Sequence, residues 1–297
     1  MAEQIEKLRI KGRVVPLKRL DKVYSSVGNV LKAEIIGYYI RMGALILPHI
    51  RNKPFSMIHF PEGVGGKSFY QKQCPLNAPK WLKTVSLPSS RRGTIKWCLV
   101  NDVPSMVYMA NRSVIEMHTW FSRLPDLSRP DVAVVDLDPS GNTGFAEALI
   151  IARAFRFLLS ELGVYAVPKT SGSRGIHILI PIEPLPFDDV QDFLNKLCRI
   201  VVASYPELAT TERMLRSRGD RIYLDAVQNG QGKTIIAPYS LRARDGIPVS
   251  APLLWEELDN DSMRPGDFHI RNMAERLERV GDPFENFYQR AQKLPKI

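Results

Sequence analysis

The stretch Asp131-Val-Ala-Val-Val-Asp-Leu-Asp-Pro139 constrains this chain more than any other. An apolar run that ends in Asp-Leu-Asp reads as a buried strand delivering charge to its end. Side chains alternate with a period of two, so Asp136 and Asp138 share one face and Leu137 enters the layer behind it. Pro139, Gly141 and Gly144 stop the strand and leave both carboxylates at its mouth. Like charges this close repel and tend to keep their protons unless a cation lies between them. Hard divalent ions such as Mg2+ or Mn2+ accept such oxygen ligands and leave room for phosphates and water. The triplet by itself is also an ordinary way to end a strand in a turn.

The chain has 297 residues, enough for one large domain or two smaller ones, and its 44% hydrophobic and 24% charged content is that of a soluble globular protein. It carries neither a signal-peptide core nor an apolar stretch of spanning length, so the expected location is the cytoplasm, with no membrane partner. Cys74, Cys98 and Cys198 match no zinc or redox spacing and read as buried thiols. The net charge of +10 favours a polyanionic partner. It is concentrated: residues 1–24 hold seven Lys/Arg against three acids, and residues 211–244 repeat that ratio. Solvated basic faces would look the same.

Lys7 to Lys22 alternates basic and apolar residues, which suits one or two strands, and Asp21-Lys22-Val23-Tyr24 opens a turn. Leu31 to Leu47 has helical spacing with Lys32 near its start. A cation there opposes the helix dipole, which makes sense beside an anion, although a surface lysine is the plain alternative. Pro61 to Ser68 resembles a phosphate-cradling P-loop but has Pro61 where the first glycine is needed, so it reads as a Gly-rich surface loop leading into Phe69 and Tyr70. Adjacent aromatics could stack on exposed bases, or form one core and one edge residue. Helical spacing is predicted from Pro104 to Trp120, with Glu116 and His118 near its end, and again from Phe145 to Leu162.

A strand from Val164 to Lys169 runs into Thr170-Ser-Gly-Ser-Arg-Gly175, a loop whose backbone N–H groups and arginine can converge on phosphate oxygens. The next strand, Ile176 to Ile182, has His177 as its one polar residue, which must hydrogen-bond something. A helix follows from Phe187 to Ser204, then Arg213, Arg216 and Arg218 in a loop, a strand ending in Asp225, the turn Gln228-Asn-Gly230 and a strand from Lys233 to Tyr239. The segment from Pro252 to Ile297 reads as mostly helical and without chemistry. Three strand-end carboxylates could hold two metal ions, and a Ser/Gly/Arg loop with a strand histidine could hold a triphosphate. Basic flanks would carry a polynucleotide.

The motifs V-V-D-L-D-P, K-T-S-G-S-R-G-I-H, the Leu-Asp of Asp225 and Q-N-G-Q-G-K-T-I-I-A-P-Y-S-L-R-A-R resemble the polymerase domain of bacterial ligase D, a member of the archaeo-eukaryotic primase superfamily. The similarity runs from about Leu17 to Leu258 and includes D-K-V-Y, F-P-E-G-V-G-G-K-S-F-Y-Q-K and E-M-H-T-W. It implies one α/β domain of primase type over 1–297, with two mixed sheets and the active site between them. Residues 1–100 would hold DNA-end binding, 101–258 the catalytic core and 259–297 a helical tail. By the resemblance, Asp136, Asp138 and Asp225 bind Mn2+ or Mg2+, two ions in all. Ser171, Arg174, Gly175, His177 and Arg242 surround the nucleotide's phosphates, with His118, Gln228 and Lys233 in the same site. Lys22 and Lys32 match a pocket for a downstream 5′-phosphate, Phe69 and Tyr70 a template-stacking pair, and Arg218 a loop associated with template and end synapsis.

Three positions depart from the pattern: Arg174 replaces a usual lysine, Ala226 a usual tryptophan and Tyr70 a second phenylalanine. The implied activity is template-directed nucleotidyl transfer from NTPs or dNTPs at DNA breaks and short gaps, preferring ribonucleotides, within non-homologous end joining. Ku and a separate DNA ligase are the implied partners. A de novo primase, a non-catalytic end-binding scaffold and a metal-dependent nuclease are the alternatives.

Overall fold

The computed structural model describes residues 5–89 and 93–297. The fold is mixed α/β and divides into two compact units, each discontinuous in sequence. The first takes the described chain up to Trp120 together with Thr234–Val249 and His269–Ala274; the second takes Phe121–Lys233, Ser250–Phe268 and Glu275–Ile297.

The first unit is built on a six-stranded antiparallel sheet. Thr234–Ile236, His118–Trp120, Pro54–His59, Gly93–Leu99 and Lys83–Ser89 follow one another across it, and Phe69–Gln71 adds to the end of Pro54–His59. The basic N-terminal stretch forms a separate hairpin, Ile5–Ile10 with Arg13–Lys18, turned at Lys11 and Gly12, both with positive φ as a tight hairpin turn requires. Lys32 opens a helix, as the spacing predicts, but that helix ends at Arg41 and a second runs from Gly43 to Ile50. Gly43 lets that second helix lie close to the Val103–Asn111 segment: a Cβ there would lie 2.7 Å from Cγ2 of Val103.

The helix predicted to reach Trp120 is shorter. It spans Val103–Asn111, starting where Asp102 accepts a bond from the Ser105 N–H and stopping where Ser113 takes a φ of 68°. Val114 and Met117 are wholly buried, but in a connection and not on a helix face, and His118–Trp120 is a strand. The Gly-rich loop docks its backbone on residues 21–24: Val64 donates to the Tyr24 carbonyl at 2.7 Å, and a Cβ on Gly63 would meet that same oxygen at 2.9 Å.

The second unit carries a five-stranded sheet ordered Val167–Thr170, Ile176–Pro181, Val132–Pro139, Ile222–Leu224, Ala209–Thr210. The Asp136 strand lies at its centre and pairs antiparallel on both sides. Helices Phe145–Glu161 and Phe187–Ser204 pack on it, and Leu137 is fully buried. The C-terminal segment corrects the helical expectation: among its described residues one α-helix, Met273–Val280, occurs among short 3-10 turns. Its beginning also has a structural task along the outer strand: the Ala251 carbonyl accepts the Thr170 N–H, the Ala251 N–H donates to Thr170 Oγ1, and the Leu253 N–H donates to the Pro168 carbonyl. The three cysteines are buried free thiols. Among the described residues no helix is long and apolar enough to cross a membrane.

Candidate active site

Strand register assembles the site of the second unit. Asp136 is the cross-strand partner of His177 on one side, and on the other the Asp225 N–H donates to the Asp136 carbonyl at 3.0 Å, continuing the Leu137–Leu224 pairing. Residues directly opposite in antiparallel strands point to the same face, so His177, Asp136 and Asp225 form a row across three strands, with Asp138 beside it. His177 Nε2 lies 3.3 Å from Oδ1 of Asp136. Asp225 also caps the short helix that follows, accepting the Gln228 N–H at 2.9 Å. Its negative charge is felt locally: after burial, it is the next cause that pushes both the Tyr223 hydroxyl and the Cys198 thiol up to about 12.

Among the described residues no three His, Cys, Asp or Glu side chains are gathered closely enough to hold a metal ion as they stand. The donor chemistry nevertheless fits a hard cation. Asp136, Asp138 and Asp225 offer acceptor oxygens on one face, and like charges directly across a strand pair destabilise it unless compensated.

The loop Thr170–Gly175 folds over the end of the Asp136 strand. A Cβ on Gly175 would stand 2.1 Å from the Leu137 carbonyl oxygen, so glycine is what allows the loop to lie against the strand. Ser171 Oγ accepts the N–H groups of Ser173 and Gly175 at 3.2 and 3.1 Å, which fixes the loop from within. Those two donors are therefore turned inward, and the exposed Arg174, anchored by an N–H to the Pro139 carbonyl at 3.1 Å, is the loop's outward cation. Lys233 turns its Nζ to the Val227 carbonyl at 2.6 Å, and the Arg218 guanidinium covers the Tyr223 ring at 3.6 Å, beside the third carboxylate.

In the first unit, Glu116 draws together two residues that the sequence places far apart. His118 Nε2 meets one of its oxygens at 2.7 Å and Arg242 Nε approaches the other at 3.4 Å, where the Ala243 N–H also donates. Burial would raise the Glu116 carboxyl, but the His118 bond and the Arg242 charge bring it down to about 2, so it is ionised at neutral pH.

The hairpin Val23–Ser25 with Val30–Leu31 brings Lys22 and Lys32 side by side, Lys32 N–H donating to the Lys22 carbonyl at 2.8 Å. Lys32 is buried and its Nζ donates to the Lys18 carbonyl at 2.7 Å, while Lys22 Nζ holds the Pro61 carbonyl. Phe69 and Tyr70 are half exposed on the sheet's edge strand. Being consecutive in a strand, they face opposite sides. Phe69 stacks on His59 with ring centres 4.5 Å apart and lines a cavity of about 500 Å³ with Lys18 and Arg112; Tyr70 bonds Ser56 through its hydroxyl at 2.8 Å.

Several contributors have no sequence signal of their own. Asn229, read as a turn residue, is fully buried, and its amide pairs with both the N–H and the carbonyl of Val134, tying the third carboxylate's loop to the central strand. Lys169, read only as the end of a strand, is fully buried with Nζ 2.8 Å from Nδ1 of His177. Glu116 was legible as a neighbour of His118 but not as its partner.

Residues 31–284 match the family described as LigD, primase-polymerase domain. The chain is 32% identical over 278 residues to the bifunctional non-homologous end joining protein LigD of Bacillus subtilis, covering 93% of this chain and 44% of that protein. It is 31% identical over 273 residues to the multifunctional non-homologous end joining protein LigD of Mycolicibacterium smegmatis, covering 90% of this chain and 35% of that protein. The chain thus spans less than half the length of these curated relatives. Among solved structures, the polymerase domain of Mycobacterium tuberculosis ligase D in complex with DNA aligns with a TM-score of 0.86 at 30% identity, covering 93% of this chain and 99% of that one.

Proposed function

Because the chain belongs to the LigD primase-polymerase domain family, we propose that it is a nucleotidyltransferase that extends a DNA or RNA 3′ end at double-strand breaks and short gaps during non-homologous end joining. The observation that carries this reading is the row of His177, Asp136 and Asp225 on one sheet face, with the Ser171–Gly175 loop packed on the end of the same strand. A nuclease would need the carboxylates but has little use for that loop.

Asp136, Asp138 and Asp225 would hold two Mn2+ or Mg2+ ions, whose charge would acidify the attacking 3′-hydroxyl and neutralise the leaving pyrophosphate. Arg174 and His177 take triphosphate oxygens, for which a guanidinium fork and an imidazole N–H are suited donors. Ser171 keeps their loop in shape, and Gln228 and Lys233 brace the wall behind Asp225. His118 and Arg242, both held by ionised Glu116, are assigned to nucleotide binding as well. Lys22 and Lys32 are assigned to a downstream 5′-phosphate, and Phe69 and Tyr70 to the template. Arg218, which ends the short helix Leu215–Arg218 where the sequence suggested a loop, is assigned to the template strand and to the meeting of two DNA ends. Ribonucleotide preference, and collaboration with Ku and a DNA ligase, belong to the same reading.

The test is extension of a primer across a short gap, with or without a downstream 5′-phosphate, in Mn2+ with ribo- or deoxyribonucleotides. The native protein should extend, faster with the phosphate and with ribonucleotides, and an Asp136→Ala/Asp138→Ala variant should lose activity by at least a thousandfold, an effect on the order of that seen when electrostatic catalytic groups are removed. Native protein that binds the gap without adding nucleotides would make it a scaffold. Synthesis without any primer would make it a primase.

A further inference from the structure

The cross-strand row has a fourth member. Register sets Lys169 opposite His177 just as it sets His177 opposite Asp136. Lys169 is fully buried, an expensive position for an amine unless its N–H groups are used. Its Nζ lies 2.8 Å from Nδ1 of His177 and 2.6 Å from Oγ of Ser250. Ser250 directs its own hydroxyl proton to the Thr170 carbonyl at 2.8 Å, so its oxygen accepts from Lys169.

Donor and acceptor roles around the imidazole follow. Nε2 faces Oδ1 of Asp136 at 3.3 Å, and a carboxylate only accepts. A neutral imidazole has one N–H. Placed on Nε2, it points that donor at Asp136 and leaves the Nδ1 lone pair for the Lys169 N–H. The other tautomer would turn a lone pair toward the carboxylate and an N–H toward the lysine, opposing both contacts at once.

We infer that Lys169 is a positioning residue: it holds His177 in the Nε2–H tautomer, so that the ring's one donor, which meets Asp136 in the nucleotide-free site, can pass to a triphosphate oxygen when a nucleotide is bound. The identity of that ligand rests on the function proposed above; the tautomer does not. Without the Lys169 N–H at Nδ1 the contact that selects this tautomer is lost, and the ring proton can exchange to the other nitrogen.

The experiment is nitrogen-15 NMR of the histidine side chains in the nucleotide-free protein, with His177 assigned by its loss in His177→Gln. The remaining histidines, His49, His59, His118 and His269, report whether each variant is folded. Native protein should show Nε2 protonated and Nδ1 bare. Lys169→Met should mix or invert that pattern, and Lys169→Gln, whose amide can still donate, should largely restore it. In primer extension Lys169→Met should raise the nucleotide KM about tenfold, the worth of one charge-assisted hydrogen bond, with a smaller change in kcat. A native Nδ1–H tautomer, a pattern unmoved by Lys169→Met, or a changed pattern with an unchanged KM would each overturn the inference. A native protein that adds no nucleotide overturns the polymerase reading instead, and the NMR comparison then decides the role of Lys169 alone.

Discussion

At the scale of residues, the site is a problem in compensation. Asp136 and Asp225 stand directly across a strand pair, an arrangement that costs roughly 0.5–1 kcal/mol when both are charged and nothing lies between them. Asp225→Asn keeps the cap on Gln228 through its amide oxygen while removing one charge, so in EDTA it should raise the melting temperature by about 2 °C. Mn2+ should stabilise the native protein and not this variant, because a ligand that binds only the folded state shifts unfolding by mass action. A calorimetric scan of each with and without Mn2+ checks both statements; equal metal responses would remove Asp225 from the ligand set. Glycine matters at this scale too. The resemblance sets Gly175 among the residues around the nucleotide's phosphates, and the 2.1 Å approach of its Cβ position to the Leu137 carbonyl adds a requirement of space.

At the scale of elements, strand alternation separates what the sequence sets together. Phe69 and Tyr70 look like one aromatic platform, yet a strand sends them to opposite faces. Phe69 is backed by His59 and opens onto the cavity that Lys18 and Arg112 line; Tyr70 is held by Ser56, with Lys72 nearby at 5.9 Å from its ring centre. Phe69→Ala should therefore weaken binding to gapped DNA about tenfold, the worth of one stacked base, and Tyr70→Ala distinctly less. Fluorescence anisotropy with a labelled gap measures both, and equal losses would mean that the two faces are used alike. The same alternation succeeds elsewhere. Asp136 and Asp138 share a face while Leu137 is buried behind them, as the period of two requires. Where periodicity alone was followed too far, as from Pro104 to Trp120, a left-handed residue at Ser113 ended the helix before its apolar pattern did.

At the scale of the whole molecule, charge is the leading property. The excess of +10 favours a polyanionic partner, and binding that neutralises phosphates releases counterions. Affinity for gapped DNA should fall about a thousandfold between roughly 50 and 200 mM salt if some six phosphates are contacted. A salt titration by anisotropy reads the slope, and a nearly flat line would exclude phosphate contacts as the source of affinity. Charge, the central Asp136 strand, the helices that begin at Phe145 and Phe187 and the two aspartates on one face were determined by the sequence alone, because they depend on composition and on spacings of a few residues. The motifs in order also carried the family. Tertiary structure alone decided the partnerships: Asp225 beside Asp136, Asn229 on Val134, Lys169 behind His177, and Glu116 joining His118 to Arg242. Those pairs are set by sheet register and chain return over tens of residues, where one step of register would turn every side chain to the other face, and no local pattern encodes which step is taken.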